Sequence, residues 1–266
     1  MKIFVNTLVF NEESFLYFAL KSVIDYVDKV LIWDTGSKDN TVRVIEELKK
    51  KYPRKIEFKE IGEVDAEGVT KARQRMLEES TDCDYIILVD GDEIWPEESI
   101  KKLRDLINKE GKNLEGIVVP FYNLVGDIFH YQSEEAGQYE LLGKKGHLQI
   151  RAINRKIKGL HIKEEYPLEG FYNKEGVVLQ DSKKLKFLNA PYLHATHLKR
   201  SRFDRKYNKQ KLEIGNKFPK DFKFPKVLFE SYPPFIPNPF KTLDGASLLL
   251  SYIFTPLRKV KRLLKI

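Results

Sequence analysis

The sequence predicts an α/β fold, a mostly parallel sheet with helices on both faces. Two observations predict it. Over the first 120 residues, short apolar runs rich in β-formers alternate with segments whose apolar residues recur at helical spacing. Such alternation implies right-handed βαβ units covered on both faces. The strand-like runs also end in clusters of Asp, Glu, Asn and Gly, and ligands of open α/β sheets bind beyond the carboxyl ends of their strands.

Each element has its own justification. Ile3–Phe10 is the first strand, and Leu16, Leu20, Val23, Ile24 and Val27 mark the first helix. Val30–Trp33 is the second strand. Thr41 reads as the N-cap of a helix carrying Val44, Ile45 and Leu48. Ile56–Ile61 is the third strand, and Gly68–Glu79 a helix with Val69, Ala72 and Met76 on one side. Tyr85–Val89 is a fourth, strongly apolar strand. Pro96 opens a helix with Ile100, Leu103 and Ile107 on its buried face.

After Gly116 the rhythm changes. Ile117–Tyr122 and Leu148–Ile153 read as strands, with a polar, mobile loop from Gln132 to Gly146 between them. Leu188–His194 reads as a last strand or extended crossing. Six prolines crowd residues 217–240, which predicts extended chain without regular structure. Beyond it, Thr255 reads as a cap with Pro256 at the first position of an amphipathic helix. The predicted organisation is a domain over 1–215 (a nucleotide-binding half to 115, an acceptor half from 116), an extended segment over 216–244 and a basic tail over 245–266.

The chain has 266 residues, 42% of them hydrophobic and 12% aromatic, enough for a sizeable core. A single cysteine, Cys83, excludes a disulfide framework and any cysteine-based metal cluster. The net charge of +8 is unevenly distributed. Residues 1–182 hold 27 basic and 34 acidic groups, a net −7, while residues 183–226 are +11 and residues 245–266 are +5. An acidic body joined to a basic C-terminal third suggests different partners for the two parts. No secretory signal is read at the start, and no stretch approaches the roughly 18–20 apolar residues that cross a bilayer.

The chemistry-bearing residues lie at the strand ends. Strand one ends at Asn11-Glu12-Glu13, strand two at Asp34-Thr-Gly-Ser-Lys-Asp-Asn-Thr, and strand four at Asp90-Gly-Asp-Glu. Three carboxylates straight after Ile86-Ile-Leu-Val are costly unless something cationic compensates them, and a hard divalent cation is the natural compensator. With Lys71-Ala-Arg-Gln on the third helix, these motifs in this order resemble the family 2 glycosyltransferases, with the GT-A fold. Each motif is weak alone; together, across residues 1–96, they are specific. The branch with Asp-Thr-Gly-Ser includes enzymes of cell-surface polysaccharide and lipopolysaccharide assembly. The resemblance fades after about residue 125.

The resemblance implies a hexosyltransferase-type enzyme using a nucleotide sugar donor and Mg²⁺ or Mn²⁺. Asp92 would bind the metal, Asp90 the ribose or the metal's water shell, and Asp34 the base or ribose. Asn11 and Glu12 would wall the nucleotide pocket, and Arg73 would reach the base or diphosphate. Expulsion of a nucleoside diphosphate loads charge on the leaving group, which a metal stabilises. Inverting transfer needs a base for the acceptor hydroxyl. The candidates are Glu164 and Glu165, with Glu169 behind them, in a stretch where the branch often carries a His-Glu pair. Here Ile162-Lys163 separate His161 from Glu164. GT-A enzymes often supply a late histidine to the metal, and His194 and His197 are the candidates, with Lys199, Arg200 and Arg202 following as phosphate binders.

Four alternatives and one further partner complete the reading. A sugar-phosphate nucleotidyltransferase usually opens with a glycine-rich phosphate loop, which Asn6-Thr-Leu-Val-Phe-Asn-Glu lacks. A nucleic-acid binder is prompted by the basic stretch 183–226 with Phe187, Tyr192, Phe203 and Tyr207, but the acidic body would repel a polyanion, so no nucleic acid partner is expected. An inactive, partner-binding relative would lack donor hydrolysis, and the solvated-surface reading competes for each charged residue singly. The acceptor is expected to be a glycan or lipid-linked. The basic amphipathic tail is expected to give peripheral membrane contact through residues 245–266, at the cytoplasmic, inner face.

Overall fold

The computed structural model describes residues 1–203 and 211–264, the last two by backbone alone; Tyr207 and Lys265 lie outside the described residues. The chain runs β1 (Ile3–Val9), α1 (Leu16–Val23), β2 (Lys29–Asp34), α2 (Thr41–Lys51), β3 (Ile56–Glu60), α3 (Ala66–Glu79), β4 (Tyr85–Leu88), β5 (Glu93–Ile94) and α4 (Glu97–Glu110). There follow β6 (Gly116–Val125), β7 (Asp127–Tyr131), β8 (Tyr139–Leu141), β9 (Lys144–Gly146), β10 (Leu148–Asn154), β11 (His161–Lys163) and β12 (Gly170–Tyr172). Then come β13 (Leu185–Phe187), β14 (Tyr192–His197), β15 (Asn216–Lys217) and α5 (Gly245–Leu264).

The central sheet is an α/β sheet in the order β15-β7-β6-β10-β4-β1-β2-β3. Its first half, β3-β2-β1-β4, is entirely parallel. β10 inserts antiparallel between β4 and β6. β13 and β14 then run parallel to successive stretches of β6, and β14 also pairs antiparallel with β5. Side chains alternate between the two faces as the pleat demands. Ile3, Val5, Val30, Ile32, Tyr85 and Ile87 join α1, α2 and α4 in one core, whereas Phe4, Leu31, Trp33 and Ile86 join α3 in the other.

Several local expectations change. The helix α2 begins at Thr41, but Asn40 holds the cap position, and the Thr41 hydroxyl accepts the Glu12 N–H at 2.7 Å instead. α3 starts earlier than Gly68, because Asp65 caps it by accepting from the Gly68 N–H at 2.8 Å. The segment 132–146 is not a featureless loop. It contains the hairpin β8–β9, turned by Leu142 and Gly143, both left-handed (φ 54° and 69°), the pattern of a tight two-residue turn. The tail helix starts ten residues before Thr255 and carries Pro256 inside it. Its cap is Asp244, which accepts from the Ser247 N–H and hydroxyl at 2.9 and 3.0 Å. The proline-rich stretch is short of regular structure but not of packing: Phe218, Phe222 and Phe224 form a ring cluster with Tyr122, Tyr131 and Phe129.

Candidate active site

The parallel strands β1, β2 and β4 deliver their terminal loops to one edge, and the first two loops are stitched together there. Asn11 takes a left-handed backbone (φ 54°), which asparagine tolerates. Its N–H donates to Ser37 Oγ at 2.8 Å, and its Oδ1 accepts the Lys38 N–H at 2.8 Å. Glu13 accepts from the Asn40 backbone and side-chain nitrogens at 3.2 and 3.0 Å. The two motifs thus hold each other, and Asn11 and Glu13 act on the loop through this clasp. Asp34 is buried; its Oδ2 accepts the Gly36 and Ser37 N–H groups at 2.9 and 2.8 Å. Its Oδ1 is buried without a hydrogen-bond partner, so one lone-pair set remains for a ligand.

The third loop, Asp90-Gly91-Asp92-Glu93, forms a tight turn between β4 and β5, with the Glu93 N–H donating to the Asp90 carbonyl at 3.1 Å. Gly91 is required sterically: a Cβ there would sit 2.7 Å from Glu12 Cγ and 2.9 Å from Glu12 Cβ. Glu12 is therefore packed directly against the turn. Asp92 and Glu93 are buried. β14 runs beside them, and the Ala195 N–H donates to the Asp92 carbonyl at 2.8 Å. This sets His194 Nε2 3.4 Å from Asp92 Oδ1 and 3.9 Å from Glu93 Oε1. The His194 ring stands edge-on to Phe121, its centroid 5.2 Å away. Burial disfavours a proton on His194, but Asp92 and then Glu93 raise its pKa above the ordinary value. His197 ends the same strand, opposite Val125, with its carbonyl accepting the Lys211 N–H at 3.1 Å.

Much of the compensating charge comes from three arginines. Arg151, buried on β10, ion-pairs Glu93 through Nη2, reaches Asp90 Oδ2 at 3.2 Å and donates through Nε to Tyr192 Oη at 3.0 Å. Tyr192 is in turn stacked between Trp95 and Phe121. Arg200 Nη1 lies 2.5 Å from Glu12 Oε1 and 3.5 Å from Asp92 Oδ2. Arg73, from α3, reaches Asp90 Oδ1 at 3.4 Å and Glu169 Oε1 at 3.4 Å. Burial pushes the Asp90 carboxyl up, but Arg151 and Arg73 hold it below its ordinary value. Burial prevails at Glu93, pushing its carboxyl up to about 8 against the pull of Arg151. Charge imbalance in the motif therefore does not by itself demand a metal, since guanidiniums answer part of it.

The acidic loop 164–169 is placed unevenly. Glu164 and Glu165 are exposed, and Glu164 is left-handed (φ 69°), with its carbonyl accepting the Thr70 hydroxyl at 2.8 Å. Glu169 faces the site, paired with Arg73, and its Oε2 is buried without a hydrogen-bond partner. The structure thus brings Asp34, Asp90, Asp92, Glu12, Arg73 and His194 to one edge and adds Arg151, Glu93 and Glu169. Sequence reasoning gave Arg151 no role. The available signal was an arginine amid the apolar strand Leu148–Asn154, where an unpaired charge is not tolerated.

The arrangement is a buried carboxylate cradle with a histidine and three arginines around it. The sequence pattern described as Glycosyl transferase family 2 matches residues 5–163, more than half of the chain. No curated protein matches the chain in sequence. Among solved structures, Staphylococcus aureus TarS residues 1–349 in complex with UDP-GlcNAc is 16% identical, with a TM-score of 0.50, covering 73% of this chain and 58% of that one. A further S. aureus TarS structure is 16% identical, with a TM-score of 0.49, covering 73% of this chain and 37% of that one. Mycobacterium tuberculosis glucosyl-3-phosphoglycerate synthase, with Mn²⁺, UDP-glucose and phosphoglyceric acid, is 17% identical, with a TM-score of 0.45, covering 73% and 72%. The chain thus spans 37–61% of the first TarS structures it matches, and likeness at this identity speaks to fold alone. Its sequence pattern and its GT-A-type sheet, with the three motif loops on one edge, make the chain a member of glycosyl transferase family 2.

Proposed function

We propose that the chain is a metal-dependent, inverting glycosyltransferase that moves a sugar from a nucleotide-diphosphate sugar to a glycan or lipid-linked acceptor at the inner face of a membrane. The observation that carries the reading is the pairing of Asp92 with His194 beside Asp90, on the edge where Asp34 keeps a free carboxylate oxygen. Asp34 would accept from the base or ribose of the donor. UDP-GlcNAc in the TarS structure is a ligand of that chemistry.

Asp92 and His194 fit a hard or borderline divalent ion. Their facing atoms are 3.4 Å apart, close to the spacing of two adjacent ligands with bonds of about 2.1–2.3 Å. No group of three or more His, Cys, Asp and Glu side chains suited to a metal occurs among the described residues, so diphosphate and water would complete the shell. A bound Mg²⁺ or Mn²⁺ supplies charge stabilisation to the departing diphosphate. Arg73 and Arg151 hold Asp90 ionised, and Arg200 orients Glu12 and Asp92 toward the donor.

For the base, the favoured residue is Glu169 in place of the exposed Glu164 and Glu165. It faces the site, Arg73 orients it, and one of its oxygens has no hydrogen-bond partner. The test is donor hydrolysis and transfer by purified variants with and without Mg²⁺ or Mn²⁺. Asp92→Asn should lose both reactions by at least about a hundredfold. Glu169→Gln should lose transfer while still binding UDP. Full metal-dependent hydrolysis in Asp92→Asn would remove Asp92 from the mechanism, and full transfer by Glu169→Gln would return the base to Glu164 or Glu165.

A further inference from the structure

The helix α5 is docked by its polar side. Its buried or half-buried positions are Ser247, Ser251, Thr255, Arg258 and Arg262, spaced by four, four, three and four residues and so on one face. Each is polar, and the last four bond inward or toward the preceding turn. Ser251 donates to the Ser247 carbonyl at 2.8 Å, and Thr255 to the Ser251 carbonyl at 2.6 Å. Thr255 also accepts the Ile214 N–H at 2.7 Å. Arg258 donates to the Leu212 carbonyl at 3.2 Å, and Arg262 clasps Glu213 with two hydrogen bonds. Glu213 is buried, and Gln132 also donates to it, at 3.0 Å.

The opposite face is apolar and faces away from the body. Leu249, Ile253, Leu257 and Val260 are 65%, 53%, 60% and 52% exposed. At about 100° per residue these side chains centre opposite the docked stripe, with Lys259 and Lys261 on the two flanks between. Both lysines are exposed, and no acid occurs from residue 245 to 264. An ordinary surface helix buries its apolar stripe; here the helix presents it outward.

We infer that α5 is a membrane-surface helix, held by its polar stripe so that its apolar face inserts into an anionic lipid surface. Charge complementarity selects that occupant: two lysines flank the apolar face with no acid beside them, the pattern of a helix lying in a lipid interface. No described helix is long and apolar enough to cross a membrane, so the helix lies on the surface rather than spanning it. The inference deepens the membrane placement in the proposed function, but it does not depend on sugar transfer, because none of its residues belongs to the candidate active site.

The experiment is co-sedimentation of the full chain with phosphatidylcholine vesicles, with and without phosphatidylglycerol. The chain should pellet with the anionic vesicles at low salt and remain largely in solution with phosphatidylcholine alone. The variant Leu249→Ser/Ile253→Ser/Leu257→Ser should lose binding. The variant Lys259→Glu/Lys261→Glu should bind at least about tenfold more weakly. Melting followed by circular dichroism reads folding of both variants, and donor hydrolysis reads the site separately. Unchanged pelleting by the serine variant, equal binding to both vesicle types, or a self-associated chain that ignores vesicles and is separated by the serine substitutions would each overturn the inference.

Discussion

Arg262 and Glu213 form a two-pronged ion pair across 49 residues of sequence, Nη1 to Oε1 at 2.6 Å and Nη2 to Oε2 at 2.5 Å. Burial opposes ionisation of Glu213, but Arg262 holds its carboxyl below the ordinary 4.5. A carboxyl with a lowered folded-state pKa stabilises above its unfolded value. That contribution is lost as pH falls below 4.5 and through the folded value. Acidification should therefore release α5 before the central sheet melts. Glu213→Gln should do so at neutral pH by leaving Arg262 without its partner, a cost on the order of 2–3 kcal/mol for the helix alone. Hydrogen exchange over residues 245–264 checks this; protection equal to wild type at neutral pH would sink it.

Gly91→Ala tests the packing of Glu12 on the Asp90–Glu93 turn. Gly91 lacks a left-handed backbone, so the added methyl acts through its 2.7 Å approach to Glu12 Cγ alone. Relief requires Glu12 or the turn to move. Stability should fall by about 1–3 kcal/mol, and donor hydrolysis should fall at least about tenfold, since small misplacements of such carboxylates are costly. A variant with wild-type hydrolysis would show that Glu12 yields without moving Asp90 or Asp92.

Arg151 is buried among Glu93, Asp90, Gln149 and Tyr192. At pH 9, above the Glu93 value of about 8, Arg151→Met leaves an ionised buried Glu93 without its guanidinium and should cost about 3–5 kcal/mol in urea unfolding. Adding Glu93→Gln should recover part of that loss, because the uncompensated charge goes with it. Additive losses in the double variant would show that the two residues do not stabilise each other.

Cys83 provides a reporter of unfolding. It is the only cysteine in the chain, it is buried, and its Sγ donates to the Ser80 carbonyl at 3.3 Å. Burial pushes its thiol up to about 12. The native chain should therefore resist iodoacetamide at pH 8 and become alkylated only across the urea transition. Rapid, complete alkylation without denaturant would contradict the placement.

The residues that announce themselves in this sequence do so locally. Apolar runs over Ile3–Val9 and Tyr85–Leu88, and helical spacing over Thr41–Lys51 and Glu97–Glu110, need only neighbouring residues to be read. The same holds for Asp34, Asp90 and Asp92: the first ends β2 and the others come two and four residues after β4, so strand direction carries all three to one edge. Thr41 and Thr255 misled for the opposite reason. Each has the chemistry of a cap, but a distant backbone N–H, from Glu12 in one case and Ile214 in the other, bonds its hydroxyl.

By itself, the sequence determined the α/β class, the order of the elements over residues 1–115 and the family to which its motifs belong. Period and turn chemistry are properties of contiguous residues. Only the tertiary structure decided what balances the carboxylates, because Arg73, Arg151 and Arg200 arrive from α3, β10 and the chain beyond β14. It also decided that Glu169, and not Glu164 or Glu165, faces Arg73. The orientation of α5 belongs with these. An amphipathic pattern shows that a helix has two faces, but the partners Glu213, Ile214 and Leu212 determine which face turns inward.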